Sequence, residues 1–290
     1  MSPRHRPTIP DLQREVQALR RQLASRDQEL GDALESAAHI QRSMIPRSPP
    51  VYSNLHYAWG FVPFKQVGGD LFNIAPLDEH TVMTYLLDVS GHGIASAMVS
   101  VAVHQSLSPT TGRLLKRPIG HRPFYRISSP REVLAALDAE YPFERFDEFF
   151  TISYLLVNSQ TGQVRYANAG HPPPLLFRND GTLERLDRGG PMIGLNHRDE
   201  NDEGEVQLRE GDRLFLYTDG LIEQTDGEGT VYGEARLVAD LHAQADHDLD
   251  GACQQVLAGQ RRFAGRMPAQ DDVTLIGIEF SRREPAGLAT

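Results

Sequence analysis

The chain of 290 residues has room for one large domain, or for a domain with an appendage, and its 40% hydrophobic content is enough for a core. Its formal charge of −10 excludes the basic footprint expected of a nucleic-acid binder. The single cysteine, Cys253, rules out an internal disulfide and fits a reducing cytosol; in a helix, it is expected to be inert packing.

Residues 1–10 hold three prolines and no pattern, so they are expected to form a disordered lead. They lack the apolar centre of a signal peptide, and no later run approaches the ~20 apolar residues that span a bilayer. The chain is therefore expected to be cytoplasmic, without direct membrane insertion; an upstream sensor or receiver protein would have to supply any membrane signal. Residues 11–46 read as one helix. Leu12, Val16, Leu19, Leu23, Arg26, Leu30, Ala33, Ala37, Ile40 and Met44 alternate spacings of four and three, which is a heptad seam. Pro10 and Pro46 bracket it, and its length would be roughly 50 Å. Such a seam either lies on its own domain or pairs with a second copy in a parallel coiled-coil homodimer; Arg26 and Gly31 weaken the middle.

Beyond the prolines at 46, 49 and 50 the period changes. Strands are expected at 57–64, 71–75 and 81–89, the last nearly all apolar and so buried on both faces. Helices follow at 93–107 and at 130–141, the second opened by Ser129 as cap and Pro130 as first helical residue. Further strands are expected at 149–158, 163–168, 174–178 and 213–218, with residues 158–162 turning the first hairpin. Helices at 233–243 and 251–263 and a strand at 273–280 complete an α+β fold of packed sheets with helical outer layers. Residues 283–290 are expected to be a flexible tail. The stretch 109–131 carries Arg113, Lys116, Arg117, Arg122, Arg126 and Arg131 and no acid, and reads as a solvated, mobile loop or as a docking surface for an acidic or phosphorylated partner. The acidic stretch 199–205 reads as a solvated flap.

Four aspartate motifs end apolar runs: Gly68-Gly69-Asp70, Asp88-Val89-Ser90-Gly91-His92-Gly93, Thr218-Asp219-Gly220 and Gln270-Asp271-Asp272. A carboxylate at the end of a buried strand is costly unless something positive compensates it. One such residue is commonly a helix cap; four are what a hard divalent cation needs. Ligation by oxygen alone points to Mg²⁺ or Mn²⁺, and no His/Cys cluster has zinc spacing.

These motifs, with Ala169–Leu176 (AGHPPPLL), Gly211–Glu223 (GDRLFLYTDGLIE) and Gln270–Ile276 (QDDVTLI), occur in an order that resembles the PPM-type metal-dependent serine/threonine protein phosphatases, and more closely their bacterial SpoIIE/RsbU-like branch. The resemblance spans about residues 50–280, and the segment ending at Pro46 is similar to the linker that precedes this domain in the branch. It implies two stacked antiparallel β-sheets flanked by helix pairs, an αββα sandwich over residues 50–282, with two Mn²⁺ or Mg²⁺ ions at one edge. It further implies that Asp88 bridges both ions, that the Val89 carbonyl binds one, and that Asp70 serves that ion directly or through water. Asp219 and Asp271 would hold the second ion, with Asp272 supporting them or substituting for one. The implied reaction is in-line attack of a bridging hydroxide on phosphoserine or phosphothreonine, and the implied substrate is a phosphorylated anti-anti-sigma (STAS) protein of a partner-switching pathway.

The chain departs from the family at Asn73, where many relatives have a second Asp, and at Ser90, where eukaryotic members often carry a histidine. The proton donor to the leaving group is therefore unassigned, although His92 lies close by. The 109–131 segment is longer than the usual connection. His171 reads as a buried imidazole that satisfies backbone groups, and Trp59 as core. Two other readings compete: a non-catalytic scaffold of the same fold, and a nucleotide cyclase, whose Gly-Gly-Asp turn would need an acidic pair where Leu71-Phe72 stand.

Overall fold

The computed structural model describes residues 9–52, 54–91, 93–122, 124–196 and 202–281. In chain order its elements are α1 (Ile9–Met44), β1 (Leu55–Val62), β2 (Leu71–Pro76), β3 (Thr81–Val89), α2 (Ile94–Ser106), β4 (Lys116–Pro118), β5 (Tyr125–Ile127), α3 (Pro130–Glu140), α4 (Phe143–Phe146), β6 (Phe150–Asn158), β7 (Gln163–Ala169), β8 (Leu175–Phe177), β9 (Leu183–Arg185), β10 (Gly189–Gly190), β11 (Gly204–Gln207), β12 (Asp212–Tyr217), α5 (Asp219–Glu223), α6 (Gly233–Ala243), α7 (Leu249–Ala264) and β13 (Val273–Phe280). One sheet runs β1-β13-β12-β8-β9 and the other β10-β7-β6-β3-β2, with β11 also on β7. The long pairings are antiparallel; the two-residue contact of β10 with β7 is parallel.

Strand alternation builds the layers. Even-numbered residues meet between the sheets: Phe72 and Ile74 of β2, Val82 and Leu86 of β3, Leu214 and Leu216 of β12, Ile276 and Ile278 of β13. Their odd-numbered neighbours face outward. Tyr85 and Leu87 pack under Val99 and Val103 of α2 and Val133 and Leu137 of α3. Phe215 and Leu275 pack under Leu237 of α6 and Cys253 and Val256 of α7. Each fully buried aliphatic side chain contributes roughly 1.5–3 kcal/mol. The result is the expected helix–sheet–sheet–helix order. Asn158 Oδ1 accepts from the N–H groups of Gln160 and Thr161 in the expected hairpin turn. Ser129 and Glu132 close a reciprocal capping box on α3. Trp59 packs edge-on to Phe72 at 5.6 Å, and Cys253 is buried with its thiol pushed up to about 12 by burial.

Several expectations change. α1 starts at Ile9, so Pro10 sits in its first turn, where a missing N–H costs nothing; the helix ends at Met44. Residues 1–8 and 282–290, and with them most of the expected lead and all of the expected tail, lie outside the described residues. Only the C-terminal end of the heptad seam, Ala37 and Met44, packs on the domain. Ala38 and Gln41 are buried there, while Leu12, Val16, Leu19, Leu23, Leu30 and Ile40 stand exposed. The 109–131 segment is no mobile loop: β4 and β5 form a hairpin anchored by buried Leu115. Acids from α3 pair with three of its six cations, Glu132 with Arg126 at 2.6 Å and Arg117 at 3.7 Å, and Glu140 with Arg113 at 3.1 Å. Of the acidic stretch, Glu203 pairs with Arg165 at 2.5 Å, and Gly204 and Glu205 belong to β11 rather than to a solvated flap. Among the described residues no helix is long and apolar enough to cross a membrane.

Candidate metal centre

The alternation that fills the space between the sheets also delivers polar groups to one end of it. Asp70, Asp88, Thr218, Asp272 and Thr274 are all even-numbered and continue the inward-facing rows of β2, β3, β12 and β13. The registers Leu71↔Leu87 and Tyr217↔Leu275 place the four strand ends at the same end of the sandwich. Asp219 opens α5 one residue further on, and Asp271 precedes Asp272.

Asp70 is 2% exposed. Its Oδ2 accepts from the hydroxyls of Thr218 at 2.9 Å and Thr274 at 2.5 Å. Burial, then the charges of Asp88 and Asp272, hold its pKa well above the usual carboxylate range, against the pull of those hydroxyls. Asp272 spends both oxygens on the loop that carries Asp70. Oδ1 accepts from the Phe64 N–H at 2.8 Å and Oδ2 from the Asp70 N–H at 3.3 Å. Burial also raises Asp272, although these N–H groups oppose the shift. Asp88 is pushed up to about 8, first by burial and then by Asp219, Asp271, Asp272 and Glu223. Asp219 is raised by burial and by Glu223 and Asp271.

The strongest charges acting on Asp88 are thus all carboxylates. Their mutual repulsion is consistent with their spread: among the described residues no three Asp, Glu, His or Cys side chains are gathered tightly enough to hold an ion as they stand. The backbone at the site leaves no room for a side chain at Gly69, whose added Cβ would lie 2.4 Å from the Val89 carbonyl oxygen and 3.0 Å from Asp88 Oδ1. That close approach sets the Val89 carbonyl beside Asp88 at the Gly-Gly turn. Carboxylate and carbonyl oxygens gathered at one buried end fit hard divalent cations.

The structure brings all the expected residues to this end: Asp70, Asp88, Val89, Asp219, Asp271 and Asp272. Sequence reasoning missed three others. Thr218 and Thr274 hold Asp70, and strand parity would have found them. Glu223 stands four residues after Asp219 on α5, the spacing that puts two side chains on one helix face. Other candidates fall elsewhere. Asn73 Oδ1 accepts from the adjacent Ile74 N–H at 2.9 Å. Ser90 donates to Glu148 at 2.6 Å. His171 is buried, and burial lowers its pKa to about 3 against the pull of a backbone group of Tyr217; its Nδ1 also meets the Thr151 hydroxyl at 2.8 Å. His92 lies outside the described residues.

Two antiparallel sheets with carboxylates collected at one end of the gap define a fold class that presents oxygen ligands from four strand ends. The family model described as Stage II sporulation protein E (SpoIIE) matches residues 78–281, and the chain belongs to that family. It is 30% identical over 197 residues to Phosphoserine phosphatase RsbP of Bacillus subtilis (strain 168), a match covering 66% of this chain and 45% of RsbP. The chain spans about half the length of the curated relatives it matches. Among solved structures, the SiaA-PP2C domain of Pseudomonas aeruginosa matches with a TM-score of 0.73 at 20% identity, covering 89% of this chain and 100% of that one. A more distant match is the catalytic domain of the serine threonine protein phosphatase PstP in complex with two manganese ions, with a TM-score of 0.52 at 17% identity, covering 79% and 99%. The solved structures share the fold.

Proposed function

We propose that the chain is a Mn²⁺- or Mg²⁺-dependent protein phosphatase acting on phosphoserine or phosphothreonine. The carrying observation is the delivery of Asp70, Asp88, Asp219, Asp271 and Asp272 to one end of the sandwich, where burial and neighbouring carboxylates raise Asp70, Asp88, Asp219 and Asp272. Family membership, the phosphoserine phosphatase name of RsbP and the two manganese ions of PstP support it. Asp88 would serve both ions, with the Val89 carbonyl on one and Asp219 and Asp271 on the other. Asp70 and Asp272 would set the Gly-Gly turn against Asp88. Ions bound there offset phosphate charge and acidify water at neutral pH.

The chain's own groups do the rest. Thr218 and Thr274 fix the rotamer of Asp70. Asp272 holds residues 64–70 by their N–H groups. The apolar layer beneath, with Phe72 and Leu86 fully buried, keeps bulk water from the back of the site. Residues 50–282 would form the catalytic unit and 11–46 a linker helix. The substrate would be a phosphorylated STAS-type protein in a cytoplasmic partner-switching pathway. The exposed apolar row of α1 supports pairing with a second copy as a coiled coil, through which an upstream sensor or receiver protein would act. The test is release of inorganic phosphate from a phosphoserine STAS protein by the full chain. Activity should require Mn²⁺ or Mg²⁺ and vanish in Asp88→Asn and Asp219→Asn; activity that survives both changes, or needs no metal, would sink the reading.

A further inference from the structure

Sheet edges are normally blunted, because their unpaired N–H and C=O groups invite another strand. At one end of its sheet β9 is three residues long and carries Glu184 and Arg185. At the other end stands β1, eight residues long, and its run Tyr57-Ala58-Trp59-Gly60-Phe61-Val62 holds no charge and no proline. The register tells which of its main-chain groups are free. The Ser281 N–H donates to the Asn54 carbonyl at 3.0 Å, one pair beyond Leu55↔Phe280. Bonded pairs recur at every second residue of an antiparallel ladder, so the even-numbered residues of β1 bond β13. The far side of β13 agrees. The Thr218 N–H donates to the Thr274 carbonyl at 3.1 Å, so even-numbered residues of β13 serve β12 and odd-numbered ones serve β1. The odd-numbered residues of β1 therefore turn their N–H and C=O groups to the edge. Leu55 and Tyr57 are buried there, whereas Trp59 and Phe61 are half-buried, and among the described residues nothing pairs with their outward groups.

Trp59 and Phe61 open into a cleft of about 740 Å³ whose opposite wall is α7. Gly60 lets the helix come close, since an added Cβ there would run into Leu257. A strand edge facing a helix across a groove is a shape into which an extended peptide adds as a further strand. The cleft also has a direction. Val62 pairs with Val273, next to Asp272, so β1 runs toward the metal centre. The rim at that end is made by Gln224, which follows Glu223, and by Ala269, two residues before Asp271. Gln224 Nε2 donates to the Pro268 carbonyl at 3.2 Å and the Thr225 N–H to Gln270 Oε1 at 3.0 Å, which ties the two rim loops together beside the aspartates. Arg261 of α7 lines the cleft as well, exposed and, among the described residues, without a carboxylate partner. In a chain of formal charge −10 such a free cation matches an acid on the occupant.

We infer that β1 is the docking edge for the substrate: the residues that follow its phosphoserine add antiparallel to Trp59 and Phe61, against α7, with an acidic residue at Arg261 and the phosphoserine in the metal centre. An antiparallel partner of β1 starts at the metal end and runs away from it, so the C-terminal flank is the one that binds. The inference rests on the phosphatase reading of the centre. It adds to that reading the form of the substrate, a phosphoserine followed by an extended segment held through its main chain.

The test uses the full chain with MnCl₂ and synthetic substrates. para-Nitrophenyl phosphate has no flank and reports on the centre alone. A peptide of phosphoserine followed by six residues drawn from Val and Thr, with Glu at each position in turn, is compared with phosphoserine capped at both ends. The best flanked peptide should have a kcat/KM at least roughly tenfold higher, chiefly through KM. N-methylation of flank residues should cost roughly tenfold at one parity, where the N–H faces β1, and almost nothing at the other. Arg261→Glu should lower the ratio of flanked to capped substrate roughly tenfold, and Lys in place of the peptide's Glu should restore it. In EDTA, the same flank with unphosphorylated serine at saturation should slow deuterium exchange at residues 59–61, an effect that needs no hydrolysis. A flank without effect, a benefit from the N-terminal flank instead, or equal cost at both parities would overturn the inference. So would exchange at 59–61 that slows as protein concentration rises without peptide, the sign of two copies pairing edge to edge. A chain inactive on para-nitrophenyl phosphate but protected at 59–61 by the flank would overturn the reading of the centre and keep the docking edge, so the two failures stay apart.

Discussion

Asp88→Asn should have opposite consequences for stability and for metal binding. Burial and neighbouring carboxylates push Asp88 from its ordinary 3.8 up to about 8. An acid raised in the fold stays neutral there while the unfolded chain ionises it. Its contribution is therefore most favourable below pH 4, and stability is lost as pH climbs from about 4 to about 8. At pH 7 the cost, at ~1.36 kcal/mol for each pH unit above the ordinary value, reaches about 4 kcal/mol. Partial access to water reduces this to about 2–3 kcal/mol. A chain of this size has an unfolding entropy of roughly 0.6 kcal/mol per degree. Metal-free Asp88→Asn at pH 7 should then melt about 4 °C above the wild type and lose the share of the pH dependence that Asp88 contributes, while that of Asp70, Asp219 and Asp272 remains. With MnCl₂ at about a hundred times its dissociation constant, the wild type should gain ~2.7 kcal/mol, again about 4 °C; the variant should gain almost nothing. Differential scanning fluorimetry in EDTA and in MnCl₂ at pH 5, 7 and 8 measures both. A variant that melts below the wild type in EDTA, or that keeps the full Mn²⁺ gain, would refute the electrostatic reasoning.

Other perturbations test the parts around it. Gly69→Ala drives a Cβ to 2.4 Å from the Val89 carbonyl, so phosphatase activity should fall roughly 100-fold while circular dichroism still shows a folded chain. Thr274→Val removes one of two hydroxyls from Asp70 and should weaken Mn²⁺ binding roughly tenfold by calorimetry, with Thr218 retaining part of the support. Ser129→Ala opens the capping box of α3, remote from the carboxylates, and should cost about 1 kcal/mol, or nearly 2 °C, with activity unchanged.

Much of the fold was legible because burial wrote itself into periodicity. β3 is apolar on both faces and lies between β6 and β2, and β13 and α6 have their expected bounds. The parts that were not legible are held by distant residues. The β4–β5 hairpin has three-residue strands, and its stability comes from Leu115 in the core and from Glu132 and Glu140 on α3, which no count of charges within 109–131 includes. The inward face of α1 escaped because Ala38 and Gln41 are small or polar, while the large apolar seam residues from Leu12 to Leu30, and Ile40, stand exposed. At the site, the aspartates were visible as strand endings. Their supports, Thr218 and Thr274, look like ordinary strand residues until the parity of β12 and β13 is followed to its end. Glu223 was within a motif already noted, but its i,i+4 relation to Asp219 mattered only once α5 was known to be a helix.

The central claim is that the end of the sandwich bounded by Asp70, Asp88, Asp219 and Asp271 holds two divalent ions. Anomalous diffraction from crystals grown with MnCl₂ tests it most directly. Two manganese peaks should flank the Asp88 carboxylate, one beside the Val89 carbonyl and one beside Asp219 and Asp271, and both should weaken in Asp88→Asn. Crystals with no peak there, or with manganese bound only elsewhere on the chain, would contradict the account.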